Sequence, residues 1–204
     1  MPTVVPSVPV PEVKVYERVP LKGIAHKYGG GDCTMGTDKG TVHSYIDFYD
    51  GLLTPYIGKG IDFLEIGVAT GKSLVMWHEF LQNARVFGMD IRPSPEFLKD
   101  HPEIKVWQAD STQKKKVDSA LGGMTFDVII DDGSHIKRDQ IETARLFLSR
   151  VRPGGLYVIE DLQNDDVSAF REFGEFELVD LRAIKGLYDD LLLVFRSPKT
   201  EEKI

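Results

Sequence analysis

Two short stretches concentrate the residues able to do chemistry: Asp131-Asp132-Gly133-Ser134-His135 and Glu160-Asp161. Each follows an apolar run of strand character, Phe126 to Asp131 (FDVIID) and Leu156 to Ile159, so both are expected at strand exits. In an open α/β sheet, ligands bind beyond the carboxyl ends of the strands. Asp131, Asp132, Glu160 and Asp161 would gather there with His135, and carboxylates that converge without a cation repel one another and rise in pKa. A divalent metal resolves that conflict. Oxygen donors favour a hard ion, Mg²⁺, with Mn²⁺ as an alternative and Zn²⁺ disfavoured for want of a cysteine cluster. Taken singly, each acid has an ordinary alternative as a helix cap or solvated strand end. Their joint arrival at adjacent strand ends favours the chemical reading.

The element that must position a ligand beside them is Ile61 to Trp77, IDFLEIGVATGKSLVMW. An apolar run leads into Gly67 and Gly71 and then into residues at helical spacing, which predicts a strand, a tight turn and a helix. Glycines there let the backbone approach a ligand, and the helix start offers free N–H groups. A phosphate-binding P-loop needs four residues between the first glycine and Gly-Lys-Ser, and this chain has only Val68, Ala69 and Thr70. Ala69 also stands where a dinucleotide fingerprint needs its second glycine. With Glu65 at the strand end, the turn instead resembles the first motif of class I S-adenosylmethionine (SAM) methyltransferases. A plain strand-to-helix turn of any α/β domain is the alternative.

The next strand, Arg85 to Asp90, ends in an acid about 20 residues beyond the glycine turn, the place from which a carboxylate accepts hydrogen bonds from a ribose diol. Asp90 is therefore the candidate for the adenosyl ribose. Ile104 to Ala109 makes a third strand. In methyltransferases resembling this chain the end of that strand lies against the adenine, which marks Gln108 and Asp110; Asp110 could equally cap a helix beginning near Thr112. Val42, Tyr45, Ile46, Tyr49 and Leu53 recur at helical spacing, with Thr37 and Asp38 as caps, and Ile136 to Val151 forms a second amphipathic helix. Pro153-Gly154-Gly155 is expected to turn the chain into the fifth strand. Phe176 to Leu181 and Leu191 to Phe195 are too closely connected for a parallel crossover and predict an antiparallel pair. The fold class that follows is α/β: a doubly wound, mostly parallel seven-stranded sheet with one reversed strand, of the Rossmann-like class I methyltransferase kind. The glycine-turn strand should lie beside the fourth strand, and the fourth beside the fifth.

The chain has 204 residues, enough for one full α/β domain. A net charge of −7 argues against a surface built to attract nucleic acid, and Lys114-Lys115-Lys116 reads as a solvated helix face. One cysteine, Cys33, excludes an internal disulfide, and no window has the apolar length of a membrane span, so a cytoplasmic protein is expected. Five prolines among valines up to Pro20 predict an extended arm, and Gly29-Gly30-Gly31 a flexible link. The organisation read from this is an arm and link over 1–31, a methyltransferase domain over 32–198 and a polar tail over 199–204. The valines would suit the arm to lie over a second copy in a homo-oligomer.

With Gly36-Thr37-Asp38-Lys39-Gly40 and Leu64-Glu65-Ile66-Gly67 added to the two acidic stretches, the chain resembles the metal-dependent sugar O-methyltransferases of macrolide biosynthesis, of the mycinamicin and tylosin type. The match runs from about Gly36 to Leu162. The resemblance implies a metal held by Asp132, Glu160 and Asp161, His135 as general base, SAM bound through Glu65, Gly67 and Asp90, and Thr37 and Lys39 near its methionine end. It implies a small polyhydroxylated substrate that bears a sugar. Those enzymes carry a further N-terminal domain that this chain is expected to lack, and little chain separates Asp161 from Phe173 for a lid. A catechol methyltransferase, a non-catalytic SAM-binding module and an NTPase are the competing readings. Ribose 2′-O-methylation of nucleic acid commonly uses a lysine-centred site, and no lysine is expected at these strand ends.

Overall fold

The computed structural model describes residues 16–28, 37–94 and 98–199. The arm through residue 15, the Gly29-Gly30-Gly31 link, Gly36 and the tail from residue 200 lie outside the described residues. Seven strands make one sheet in the order β3-β2-β1-β4-β5-β7-β6. They are β1 (Asp62–Ile66), β2 (Arg85–Asp90), β3 (Lys105–Gln108), β4 (Phe126–Asp131), β5 (Val151–Ile159), β6 (Phe176–Asp180) and β7 (Leu191–Arg196). The pairs from β3 to β5 are parallel, and β7 runs antiparallel to both β5 and β6. This is the sheet expected, with β7 as its reversed strand. Strand order turns back between β1 and β4, which is where such a sheet opens a crevice.

The central strands are buried on both faces, so they read as continuous apolar runs. Alternation sends Phe63, Val128, Ile130 and Val158 into one layer, against α1 (Leu21–Tyr28), α3 (Tyr45–Leu53) and α4 (Lys72–Leu81). Leu64, Ile66, Ile129, Tyr157 and Ile159 face the other, with Val117 of α5 (Lys114–Leu121) and Phe147 of α6 (Lys137–Phe147). Trp77 is wholly buried in the first layer, as its helical spacing suggested. Each large apolar side chain so buried contributes about 1.5–3 kcal/mol.

Three details differ from the sequence reading. Residues 21–28, assigned to the extended arm, form α1 and bury Leu21, Ile24 and Ala25; Pro20 stands just before its first turn, where a proline does no harm. The single helix expected between the Thr37–Asp38 cap and Leu53 is split into α2 (Asp38–Thr41) and α3. Lys185 Nζ takes the carbonyls of Gly40 and His43 at 2.7 and 2.6 Å, oxygens a continuous helix would need. Lys185 ends the short helix α7 (Arg182–Lys185). Finally, Pro153-Gly154-Gly155 lies inside β5, where the register against β4 shifts between Phe126 and Val128. Among the described residues no helix is long and apolar enough to cross a membrane.

Candidate active site at the β1–β4 switch point

Three backbone hydrogen bonds knit the strand exits into one rim: Gly67 N to Met89 O at 2.9 Å, Asp132 N to Ile66 O at 2.8 Å and Glu160 N to Asp131 O at 2.9 Å. Over its β1–β2–β3 side opens a cleft of about 290 Å³ lined by Gly67, Asp90, Asp110, Ser134 and Arg138 among others. Gly67 has φ +90° and Gly71 φ +87°; Gly71 forms the left-handed start of α4. Asp90 Oδ2 accepts from the Val68 and Ala69 N–H groups at 2.8 and 3.1 Å, and Oδ1 from Arg92 N–H at 2.7 Å. The acid picked out for a ribose therefore also shapes the glycine turn. Asp110 lies in the cleft wall and accepts from the Thr112 backbone and hydroxyl and from Gln113, which holds its carboxyl below the usual range although burial opposes this. Gln108 is exposed, outside the residues of the cleft wall, and donates to Ile91 O at 3.2 Å.

On the β4–β5 side, the period of two decides which acids meet. Glu65 and Glu160 point into the α3–α4 layer, and both are fully buried. Asp131 points the opposite way, to the α5–α6 layer, where it accepts from the Tyr157 hydroxyl at 2.9 Å and burial pushes it up to about 7. Asp131 thus stands apart from the cleft expected of it. His135 and Asp161 adopt left-handed backbones, φ 56° and 55°, a strained choice for non-glycine residues that recurs at functional sites. That turn carries the Asp161 carboxylate to the same side as Asp132. Asp132 Oδ1 lies 3.1 Å from His135 Nε2, and His135 Nδ1 lies 3.4 Å from Asp161 Oδ2. The ligand atoms of Asp132, His135 and Asp161 all lie within 4.8 Å of one another. The hydrogen bond to Asp132 pushes His135 up to about 9.

Lys39 is the largest departure. The sequence reading put it near the cofactor's methionine end and found no lysine at the strand ends, yet its side chain is wholly buried among the acids. Its ammonium is 2.5 Å from Glu160 Oε2, 2.7 Å from Asp132 Oδ2 and 3.4 Å from Glu65 Oε1. Burial works against its charge, but Asp132, Glu160 and Glu65 hold its proton and raise its pKa well above the ordinary value. Thr37 caps α2, its hydroxyl accepting from Lys39 N–H at 3.4 Å, and so fixes the backbone from which the lysine reaches inward. Glu65 is enclosed by protein partners, accepting from Ser73 Oγ at 2.5 Å and Trp77 Nε1 at 3.1 Å. It lies behind the rim and outside the cleft wall.

The acids have further partners that sequence reasoning did not join to them. Tyr49 donates to Glu160 and Tyr45 to Asp161. His43, 2.7 Å from Asp190, stacks on Tyr45 and stands 3.6 Å from Asp161. The signal was present in part: Tyr45 and Tyr49 are four apart on one helix face, and buried tyrosines need a partner for the hydroxyl.

A family model described as a methyltransferase domain matches residues 64–162. The 8-demethyl-8-alpha-L-rhamnosyl tetracenomycin-C 2′-O-methyltransferase of Streptomyces olivaceus is 33% identical over 67% of this chain and 38% of its own length. The demethylmacrocin O-methyltransferase of Streptomyces fradiae is 31% identical over 74% of this chain and 41% of its own length. The chain thus spans about two fifths of the length of these curated relatives. Among solved structures, MycE methyltransferase from the mycinamycin pathway, in complex with Mg, SAH and mycinamycin VI, superposes with a TM-score of 0.68 at 23% identity, over 93% of this chain and 57% of that one. At that identity the likeness speaks for the fold. Sheet order, domain match and relatives together make this chain similar to methyltransferases over residues 64–162, on the class I, Rossmann-like fold.

Proposed function

We propose that this chain transfers the methyl group of S-adenosylmethionine to a hydroxyl of a small sugar-bearing molecule, with a divalent ion, Mg²⁺ or alternatively Mn²⁺, bound at the rim. The observation that carries this reading is the meeting of Asp132, His135 and Asp161 within 4.8 Å, beside a cleft at the switch point of the sheet. The names of the relatives support it: two sugar-pathway O-methyltransferases, and a neighbour with Mg and SAH.

In this reading the Gly67 turn and Asp90 take the adenosyl ribose and methionine portions of the cofactor, and Asp110 flanks the adenine. Asp132 and Asp161 offer carboxylate oxygens close enough together for one hard ion, so the donor set fits. Glu160, expected from sequence as the third ligand, stands behind them, held by Lys39 and Tyr49. A divalent ion on Asp132 and Asp161 would supply positive charge toward an oxygen becoming anionic and would loosen the hold on the His135 proton. Asp132 orients the imidazole through Nε2, and Nδ1, which lies 3.4 Å from Asp161 Oδ2 without a hydrogen bond to it, is the nitrogen left to take a proton. The imidazole takes the hydroxyl proton as the oxygen attacks the sulfonium methyl carbon in line; the C–O bond forms, the C–S bond breaks and S-adenosylhomocysteine (SAH) leaves. The methyl donor is already activated, so positioning is the protein's main task.

The test is calorimetry with SAH, followed by methyl transfer from labelled SAM to methyl α-L-rhamnoside and to a glycosylated macrolide, with Mg²⁺ and with EDTA. SAH binding with metal-dependent labelling of a sugar hydroxyl is expected. SAH binding without labelling of any sugar would remove the acceptor class, and no SAH binding would remove the reading altogether.

A further inference from the structure

Lys39 is a cation built into the buried side of the acid rim. It comes from α2, outside the sheet, and reaches carboxylates that leave three different strands: Glu65 on β1, Asp132 after β4 and Glu160 after β5. An ammonium has three N–H donors and no acceptor; here it hydrogen bonds to Asp132 and Glu160, with Glu65 beside it as an ion pair at 3.4 Å. Asp132 is divided between two sides. Its Oδ2 faces Lys39 at 2.7 Å, and its Oδ1 faces His135 at 3.1 Å on the side where Asp161 completes the possible ligand set. Glu160 is wholly on the lysine side, with Oε2 on Lys39 and Oε1 on Tyr49.

We infer that Lys39 is a positioning residue that acts as an internal counter-ion: it holds Asp132 and Glu160 together while no divalent metal is bound, and it competes with that metal for them. Metal binding at Asp132 and Asp161 places a second positive charge against the same carboxylate that the ammonium holds. Like charges across one partly buried carboxylate repel, so each weakens the other's grip. Glu160 becomes free to turn toward the metal only as the ammonium withdraws. The Thr37 cap fixes the lysine backbone in α2, so weakening the ammonium's hold on the acids loosens the tie between α2 and the strand exits. Metal occupancy and the position of α2 are thereby linked, as two ligands of one site must be.

The inference rests on the metal reading proposed above, and Lys39→Met separates the two. The methionine keeps the apolar stem and removes the charge. Mg²⁺ and Mn²⁺ affinities are measured by calorimetry for both proteins, together with the melting temperature in EDTA and in saturating Mg²⁺. Lys39→Met should bind either ion at least tenfold more tightly, melt lower than the unaltered protein in EDTA, and recover most of that loss on adding Mg²⁺. Equal melting losses with and without Mg²⁺, with unchanged or weaker metal affinity, would show a merely structural lysine and overturn the inference while leaving the metal reading intact. No ion bound by either protein would overturn both. Should Lys39→Met fail to fold, the unaltered protein still decides: amide hydrogen exchange over Asp38–Thr41 should quicken on adding Mg²⁺, and unchanged or slower exchange there contradicts competition.

Discussion

Gly67 and Asp132 meet backbone to backbone: a β-carbon placed on Gly67 would lie 1.8 Å from the carbonyl oxygen of Asp132. The glycine turn after β1 and the acidic exit of β4 are thus pressed together with no room for a side chain, and the φ of +90° at Gly67 is itself one that glycine alone adopts without cost.

Gly67→Ala is therefore expected to destabilise the fold by roughly 3 kcal/mol or to push the two exits apart. Either result should remove SAH binding. Denaturant unfolding and calorimetry with SAH check it; a variant with an unchanged unfolding midpoint and full SAH affinity would contradict the close approach.

At the opposite end of the sheet, Asp62 ties β1 to three other strands. It accepts from Arg85 of β2 at 2.6 and 2.7 Å and from Arg152 of β5 at 2.5 Å, while its backbone N–H donates to Asp127 of β4 at 2.8 Å. Burial would raise its carboxyl, but the bonds from Arg85 and Arg152 outweigh it and hold the pKa below the ordinary value. A depressed folded-state pKa gives stability that is present above the unfolded value, about 3.9, and is lost as pH falls through the folded one. Asp62→Asn should cost about 1–2 kcal/mol near neutral pH, since Arg85 is exposed and Arg152 partly so, and solvent screens both. Below about pH 4 the variant and the unaltered protein should converge. Melting temperatures from pH 7 down to 3 measure this, and a constant gap across that range would refute the ion-pair origin.

How much of this was legible in the sequence depends on whether a residue's partners lie in its own element. Strand positions and the order near the switch point could be read because buried parallel strands are nearly continuous apolar runs and crossovers leave few topologies. That Asp132, His135 and Asp161 come together was legible for the same reason, since strand exits must share a rim. Asp131 was misplaced because the alternation of β4 was not carried through its last residue, which sends that side chain toward Tyr157. Lys39 was beyond reach of any local pattern: its partners Asp132 and Glu160 lie 93 and 121 residues away, and nothing in a four-residue helix says how deep its lysine will go. Tyr45 and Tyr49 were read as core, which they are, but their hydroxyls serve acids from strands more than a hundred residues on.

His135 separates proton transfer from binding. It sits outside the wall of the cleft proposed for the cofactor and touches Asp132 and Asp161, so its loss should leave SAH binding in place. Removing a positioned general base typically costs about 10²–10⁴-fold in rate. His135→Ala should therefore lower kcat by that order while the SAH Kd stays within about twofold, because a base acts on the transition state and adds nothing to cofactor affinity. His135→Gln, which can still hydrogen bond to Asp132 but cannot take a proton at neutral pH, should be as slow as the alanine variant. If glutamine restores turnover, the ring serves only to orient Asp132. If both variants lose SAH binding together with turnover, the residue belongs to the framework of the rim and the base must be sought elsewhere.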